Sequence, residues 1–389
     1  MGKSFKSLDD MVLATLIDLV GIDSINPQFG GSGEAQVATY IEDFFRDCQP
    51  VIERQDVFHE RQNVICYFPG KNQDKTLLLE AHMDTVSIAN GARSTLVPQI
   101  ENGKLYARGA CDTKGSLAAM ICAIKSIIDT DGSLPIPVYF VGAVDEEYRA
   151  KGIYEFIKKN IIVDGAIVGE PTSLNIVVAH KGVFRFQLNT EGKSVQSSKP
   201  WFGVNAIYKM MDAVRAILDE LQPSYIGKGP KLTGDPTVSV GVIQGGKEVN
   251  TVPDSCRVEI DRRVVPGEHR VDVEAEFESL LTSLRSRDET FKASITNTFY
   301  DPPLDTDSNA RIVQSMVKAC RNIVGGANII GVPYGSDASK LASIGIPSIV
   351  FGPGDIVNAH TTHEFVDIQE LVDAAKIYRK IIMDFATNE

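Results

Sequence analysis

The chain lacks the cues of an oxidised, a membrane-spanning or a nucleic-acid-binding protein. Its cysteines (Cys48, Cys66, Cys111, Cys122, Cys256 and Cys320) are widely scattered and form no CxxC pair. That pattern argues against a zinc ribbon or a thioredoxin-like redox site and for reduced thiols. Nowhere do about 18 uncharged apolar residues run together, the length that a spanning helix needs. The opening stretch MGKSFKSLDDMVLATLIDLVG has Asp9 and Asp10 ahead of its apolar part and Asp18 within it, which spoils a signal-peptide core. Gly2 invites a myristoylation reading, but Lys6 stands where that signal wants Ser or Thr. Basic clusters are missing as well, and a formal net charge of −12 argues against a polyanion such as nucleic acid as partner. Repeats and low-complexity tracts are absent. A cytoplasmic protein with no membrane and no nucleic-acid partner is the expectation.

What is present is enough chain for two domains: 389 residues bury a substantial core without covalent staples. Leu8, Met11, Val12, Leu16, Leu19 and Val20 recur at helical spacing, and a second helix is expected from about Glu34 to Cys48. NVICYF, TLLLEAH, PVYFVGAV, GAIVG and NIVVAH read as strands alternating with helices, so this part is expected to be α/β, a mixed sheet flanked by helices. From about Gly182 the style changes. VFRFQLNT alternates with period two, and strand–helix–strand–strand–helix–strand follows, the ferredoxin-like α+β order. The first style returns after DPPLDTD. The expectation is a discontinuous larger domain, residues 1–182 and 298–389, interrupted by an inserted α+β domain at 183–297.

Against this background an ordered set of imidazoles and carboxylates stands out: His82 in LLLEAHMDT, Asp112 in GACDTKG, Glu146–Glu147 in GAVDEEY, Glu170 in IVGEPT and His360 in GPGDIVNAHTTHEF. Most sit at predicted strand ends. Asp84 shares a strand face with His82, so its carboxylate can take the second ring N–H of a ligand imidazole. Each has a plainer reading. His82 and Asp84 also suit a polar strand terminus, Asp112 a helix N-cap, and Glu146–Glu147 two surface acids. If both glutamates matter, their opposed directions suggest separate jobs, one as ligand and one as general base. His363 competes with His360, while His180 reads as structural.

The set resembles the dinuclear zinc deacylase and exopeptidase family of acetylornithine deacetylase, succinyl-diaminopimelate desuccinylase and aminoacylase. The likeness covers nearly the whole chain, because GVNAI, EVNTVP and DRRVVPGE resemble that family's lid; GPGDIVNAH with EFV after it looks most like the acetylornithine deacetylase branch. The resemblance implies two divalent ions, zinc foremost with cobalt or manganese as alternatives. One would sit on His82 and Glu170 and the other on Glu147 and His360, with Asp112 bridging, Glu146 as catalytic base, and a cis peptide after Asp112. It sets His363 aside and makes 183–297 a lid and dimerisation domain, hence a homodimer. The implied reaction is hydrolysis of an N-acyl amino acid, with a dipeptidase or carboxypeptidase as the same-chemistry rival on short peptides. Gln196 stands where the family usually has a lid histidine that stabilises the oxyanion, so a weakly active binding homologue is a further alternative. Ser336 replaces the usual Thr and keeps the hydroxyl. Asn250 and Arg263 match lid residues near substrate in relatives, although Arg263 also suits a surface strand.

Overall fold

A computed structural model describes residues 5–89 and 95–386; Gly2 lies outside them. In chain order its principal strands are β1 (Val51–Phe58), β2 (Arg61–Phe68), β3 (Leu77–His82), β4 (Val138–Ala143), β5 (Gly165–Val168), β6 (Ile176–His180), β7 (Gly182–Glu191), β8 (Thr237–Gly245), β9 (Ser255–Val264), β10 (Lys292–Asp301) and β11 (Ser348–Val350). The longer helices are α1 (Leu8–Val20), α2 (Ala35–Phe45), α3 (Lys114–Asp131), α4 (Ala206–Ala216), α5 (Arg270–Arg287), α6 (Arg311–Val324) and α7 (Ile368–Asp384). Two compact units result. The first comprises 1–178, 306–330 and 336–389, and the second 179–305 with 331–335. The second unit is wider at both ends than 183–297, because β6 crosses the boundary and Ala179 and His180 pair there with Asp305 and Leu304.

The first unit is α/β. Its sheet runs β1-β2-β4-β3-β5-β11-β6. The four central strands β4, β3, β5 and β11 are mutually parallel, and antiparallel strands flank them. Parallel strands covered on both faces read as continuous apolar runs, and every residue of β3 and β5 is buried. Helices α1, α3 and α7 pack on one another in one layer. Lys114, at the start of α3, is fully buried and donates to the carbonyls of Leu19 (3.0 Å) and Ile22 (2.8 Å), closing the end of α1. The N-terminus of α3 comes close to the strand ends because glycine stands there. A Cβ at Gly352 would lie 2.1 Å from Ser116 Oγ and 2.6 Å from the Glu170 carbonyl.

The second unit has the sheet order β8-β9-β7-β10, all pairs antiparallel. With α4 after β7 and α5 after β9 this is the ferredoxin-like topology that the alternating strands predict. The two helices cover one face through Met210, Phe277 and Leu281 against Phe184 and Phe186. The other face is wet, hence the period-two pattern of β7 and β9. Arg262 is the exception on the covered side, a buried guanidinium that donates to Glu268, Glu276 and the Tyr225 hydroxyl. In β8 only the first half keeps a buried position; from Gly241 onward this edge strand is exposed.

Candidate metal centre

The C-terminal ends of the parallel strands are where an open α/β sheet presents its ligands, and here they deliver the acids and imidazoles. His82 is the last residue of β3, Glu146 and Glu147 follow β4, Glu170 follows β5, and His360 lies in the loop after β11. Asp112 sits in the turn ahead of α3 and is joined to Thr113 by a cis peptide bond. Each strand is therefore a rigid arm holding one or two groups at a common rim.

Asp112 is the hub. Its Oδ1 lies 3.1 Å from His82 Nε2 and its Oδ2 3.1 Å from His360 Nε2. His82 Nε2 is also 3.8 Å from Glu170 Oε1, and His360 Nε2 is 3.0 Å from Glu147 Oε2. Among the described residues two groups can hold a cation, His82–Asp112–Glu170 and Asp112–Glu147–His360, with the donor atoms of each within 4.8 Å of one another. They share Asp112. Glu146 belongs to neither, and its backbone N–H donates to Asp84 Oδ1 at 3.1 Å. The neighbouring N–H of Glu147 donates to Asp84 Oδ2 at 3.3 Å. Asp84 meets His82 mainly through its backbone: Nδ1 is 3.0 Å from the Asp84 carbonyl and 3.6 Å from Oδ1.

Burial and neighbouring charges shift the acids and imidazoles of this cluster. Burial pushes the carboxyls of Glu146 and Glu170 up, and takes Glu147 to about 8. Burial opposes charge on His82, but hydrogen bonding to Asp112 and Asp84 holds its imidazole well above the ordinary value. His360, half exposed, is raised to about 10 by Asp112 and then Glu147. Desolvation would lift Asp112 too, yet His360 and His82 keep it low. Oxygen and imidazole donors converging on a shared carboxylate fit two divalent ions.

One residue without a role in the motif reading lies directly behind the hub. Glu364 is fully buried, pairs with buried Arg108, and through Oε1 accepts the backbone N–H groups of Cys111 (3.0 Å) and Asp112 (3.1 Å). Arg108 and Glu364 are 256 residues apart, so no local spacing announces the pair. His363 belongs to neither cation group; it is exposed and its Nδ1 meets Thr362 Oγ1. His180 is buried against the Lys181 carbonyl. Ser336 is buried in the turn before the helix Ala338–Ser343, where its Oγ accepts from the Ala338 amide.

The remaining candidates belong to the second unit. Gln196 is exposed, bridges to Thr251, and accepts the Ser198 hydroxyl at Oε1, so the NH₂ of its amide faces away from Ser198. Exposed Asn250 accepts the Ser197 N–H through its carbonyl. Arg263 lies on the wet sheet face, its Nε 2.8 Å from Asp261 Oδ1.

A family model described as peptidase family M20/M25/M40 matches residues 78–384. The chain belongs to that family. M20/M25/M40 membership makes it a metal-dependent hydrolase, with relatives under both deacylase and peptidase names. An acetylornithine deacetylase of Myxococcus xanthus is 30% identical over 387 residues, covering 96% of this chain and 97% of the relative. A probable carboxypeptidase of Aspergillus clavatus is 30% identical over 400 residues, 97% of this chain and 90% of that one. Among solved structures, aminopeptidase PepT from Bacillus cereus superimposes with a TM-score of 0.80 at 22% identity, covering 97% of this chain and 99% of that one. The YXEP protein of Bacillus subtilis, described as a dinuclear metal-binding peptidase of the M20 family, gives 0.74 at 17% identity, with 97% and 98% covered.

Proposed function

We propose that the chain hydrolyses the amide bond of an N-acyl amino acid, with acetylornithine or a close analogue as the first candidate substrate. The observation that carries the reading is the pair of cation groups sharing Asp112, with a separate acid, Glu146, beside them. His82, Asp112 and Glu170 would hold one ion, and Asp112, Glu147 and His360 the other; zinc is the expected metal, cobalt or manganese the alternatives. Two such ions polarise an amide carbonyl and lower the pKa of a water molecule. Glu146 takes the proton of the attacking water and passes it to the leaving nitrogen as the C–N bond breaks. Asp84 fixes the backbone from which Glu146 projects and the ring orientation of His82. From the second unit, the Gln196 amide would donate to the developing oxyanion. Arg263 would meet a substrate carboxylate, with Asn250 and Ser336 as further polar contacts.

The same ions serve a dipeptidase or carboxypeptidase. The match to a probable carboxypeptidase at the same identity as to an acetylornithine deacetylase favours that as the second reading. One experiment separates them: metal analysis of the purified protein, then a hydrolysis screen over acetyl, succinyl and formyl derivatives of ornithine, citrulline and diaminopimelate, with dipeptides alongside. The expected result is two ions per chain and amine release from an N-acyl amino acid. Cleavage of dipeptides alone selects the second reading, and a chain that recruits less than about one ion on addition of metal defeats both.

We also propose a homodimer through the second unit. Edge strand β8 leaves Val242 and Ile243 exposed (40% and 58%), and α4 leaves Tyr208 and Met211 exposed (64% and 58%). An unpaired strand edge with apolar side chains is a surface that a second copy covers.

A further inference from the structure

The turn that carries Glu146 and Glu147 is tied to the end of β3 by a segment lying ahead of the residues matched by the family model. Asn26 is fully buried, and its backbone N–H donates to the Thr85 carbonyl at 2.9 Å. Its side-chain amide bridges two carboxylates: Nδ2 donates to Asp84 Oδ2 at 2.7 Å and to Asp145 Oδ1 at 3.1 Å. Eight positions on, Glu34 anchors the same turn from the other side. It is fully buried, accepts the Asp145 N–H at 3.2 Å and is gripped by Arg61 through Nε (2.8 Å) and Nη2 (2.6 Å). Arg61 Nη2 also reaches Asp145 Oδ1 at 3.2 Å.

Asp145 sits in the left-handed region, φ 69°, a conformation that a non-glycine residue keeps only where its surroundings over-determine it. The surroundings here are Asn26, Glu34 and Arg61. Between Asn26 and the chemistry there is one intermediary. Asp84 accepts the N–H groups of both Glu146 and Glu147 and offers its carbonyl to His82. Without the Asn26 amide, Asp84 and Asp145 would lose the donor they share in a dry interior, where an unpaired polar group is costly.

We propose that Asn26 is a positioning residue for hydrolysis: by bridging Asp84 and Asp145 it sets the backbone from which Glu146 and Glu147 project, with Glu34 and Arg61 as the second anchor. What those two glutamates do rests on the function proposed above; the bracket itself does not. Placement matters because a misplacement of about 1 Å costs on the order of 10²-fold in rate.

The test compares Asn26→Ala with wild type in two states. In the metal-free protein, amide hydrogen exchange at residues 145–147 should quicken about tenfold or more while β4 keeps its protection. In the cobalt-loaded protein the visible absorption bands should shift and cobalt affinity should fall about tenfold. Turnover should then drop about 10²-fold with KM little changed. Asn26→Ser keeps a hydroxyl donor and should recover part of each loss; it also serves as the readable variant if the alanine form does not fold. Wild-type exchange at 145–147 with wild-type cobalt affinity overturns the proposal. So does loss of fold in both variants, which would make Asn26 structural. If wild type takes up no pair of ions, the functional reading fails, and the exchange measurement still decides the bracket.

Discussion

Asp112 uses each of its carboxylate oxygens toward a different imidazole, and that division makes one aspartate common to two cation groups. Beside it, Glu146 is held by its backbone and left out of both groups, the arrangement a general base needs. Replacing Glu146 with Gln should therefore leave two ions bound and the fold intact, while turnover falls about 10²–10⁴-fold; metal analysis and kcat measured on one preparation check both halves. For Gln196 the expectation is narrower. If its amide supplies the oxyanion donor, Gln196→Ala should lower kcat by about 10²–10³-fold with KM little affected, and an unchanged kcat removes it from that role. Asp112 and Glu146 stood out in the sequence because one precedes a helix and the other follows a strand within a distinctive local string, whereas Gln196 stood out only through the family resemblance. Glu364, Asn26 and Arg61 did not, for a physical reason: each acts on a backbone group or carboxylate far away in the chain, and its own neighbours carry no trace of that partner.

At the level of elements, the apolar runs of β3, β4 and β5 announced a sheet covered on both faces, and the switch to period two after Gly182 announced the wetted sheet of the second unit. Strand order was not legible, since β11 enters between β5 and β6 from some 170 residues downstream by long-range pairing alone. The turn that presents Asp112 depends on such a distant group. Its N–H groups are taken by Glu364, whose carboxylate is itself neutralised by buried Arg108. Glu364→Ala strands that guanidinium, so we expect a loss of about 3–5 kcal/mol in urea-unfolding free energy, together with weaker metal retention on dialysis. An unaltered unfolding midpoint would show that the pair does not stabilise this turn.

Across the whole molecule the labour is divided between two units. Both cation groups lie in the first unit, so chelation should act on that unit's stability. An ion at about a thousand times its Kd contributes about 4 kcal/mol. Scanning calorimetry with and without chelator should lower the transition of the first unit, leave that of the second in place, and recover on re-addition of metal. Conversely, Ile243→Lys on the exposed edge of β8 should halve the mass seen by light scattering if the second unit forms a dimer, with the metal content unchanged. The spread of the ligands along the chain also has a consequence for synthesis. His82, Asp112 and Glu170 are all synthesised before any of residues 179–305, but His360 is added only after β11. A chain that ends before His360 lacks that ligand and also Glu364, which holds the turn of Asp112, so both halves of the centre wait on the last stretch of translation.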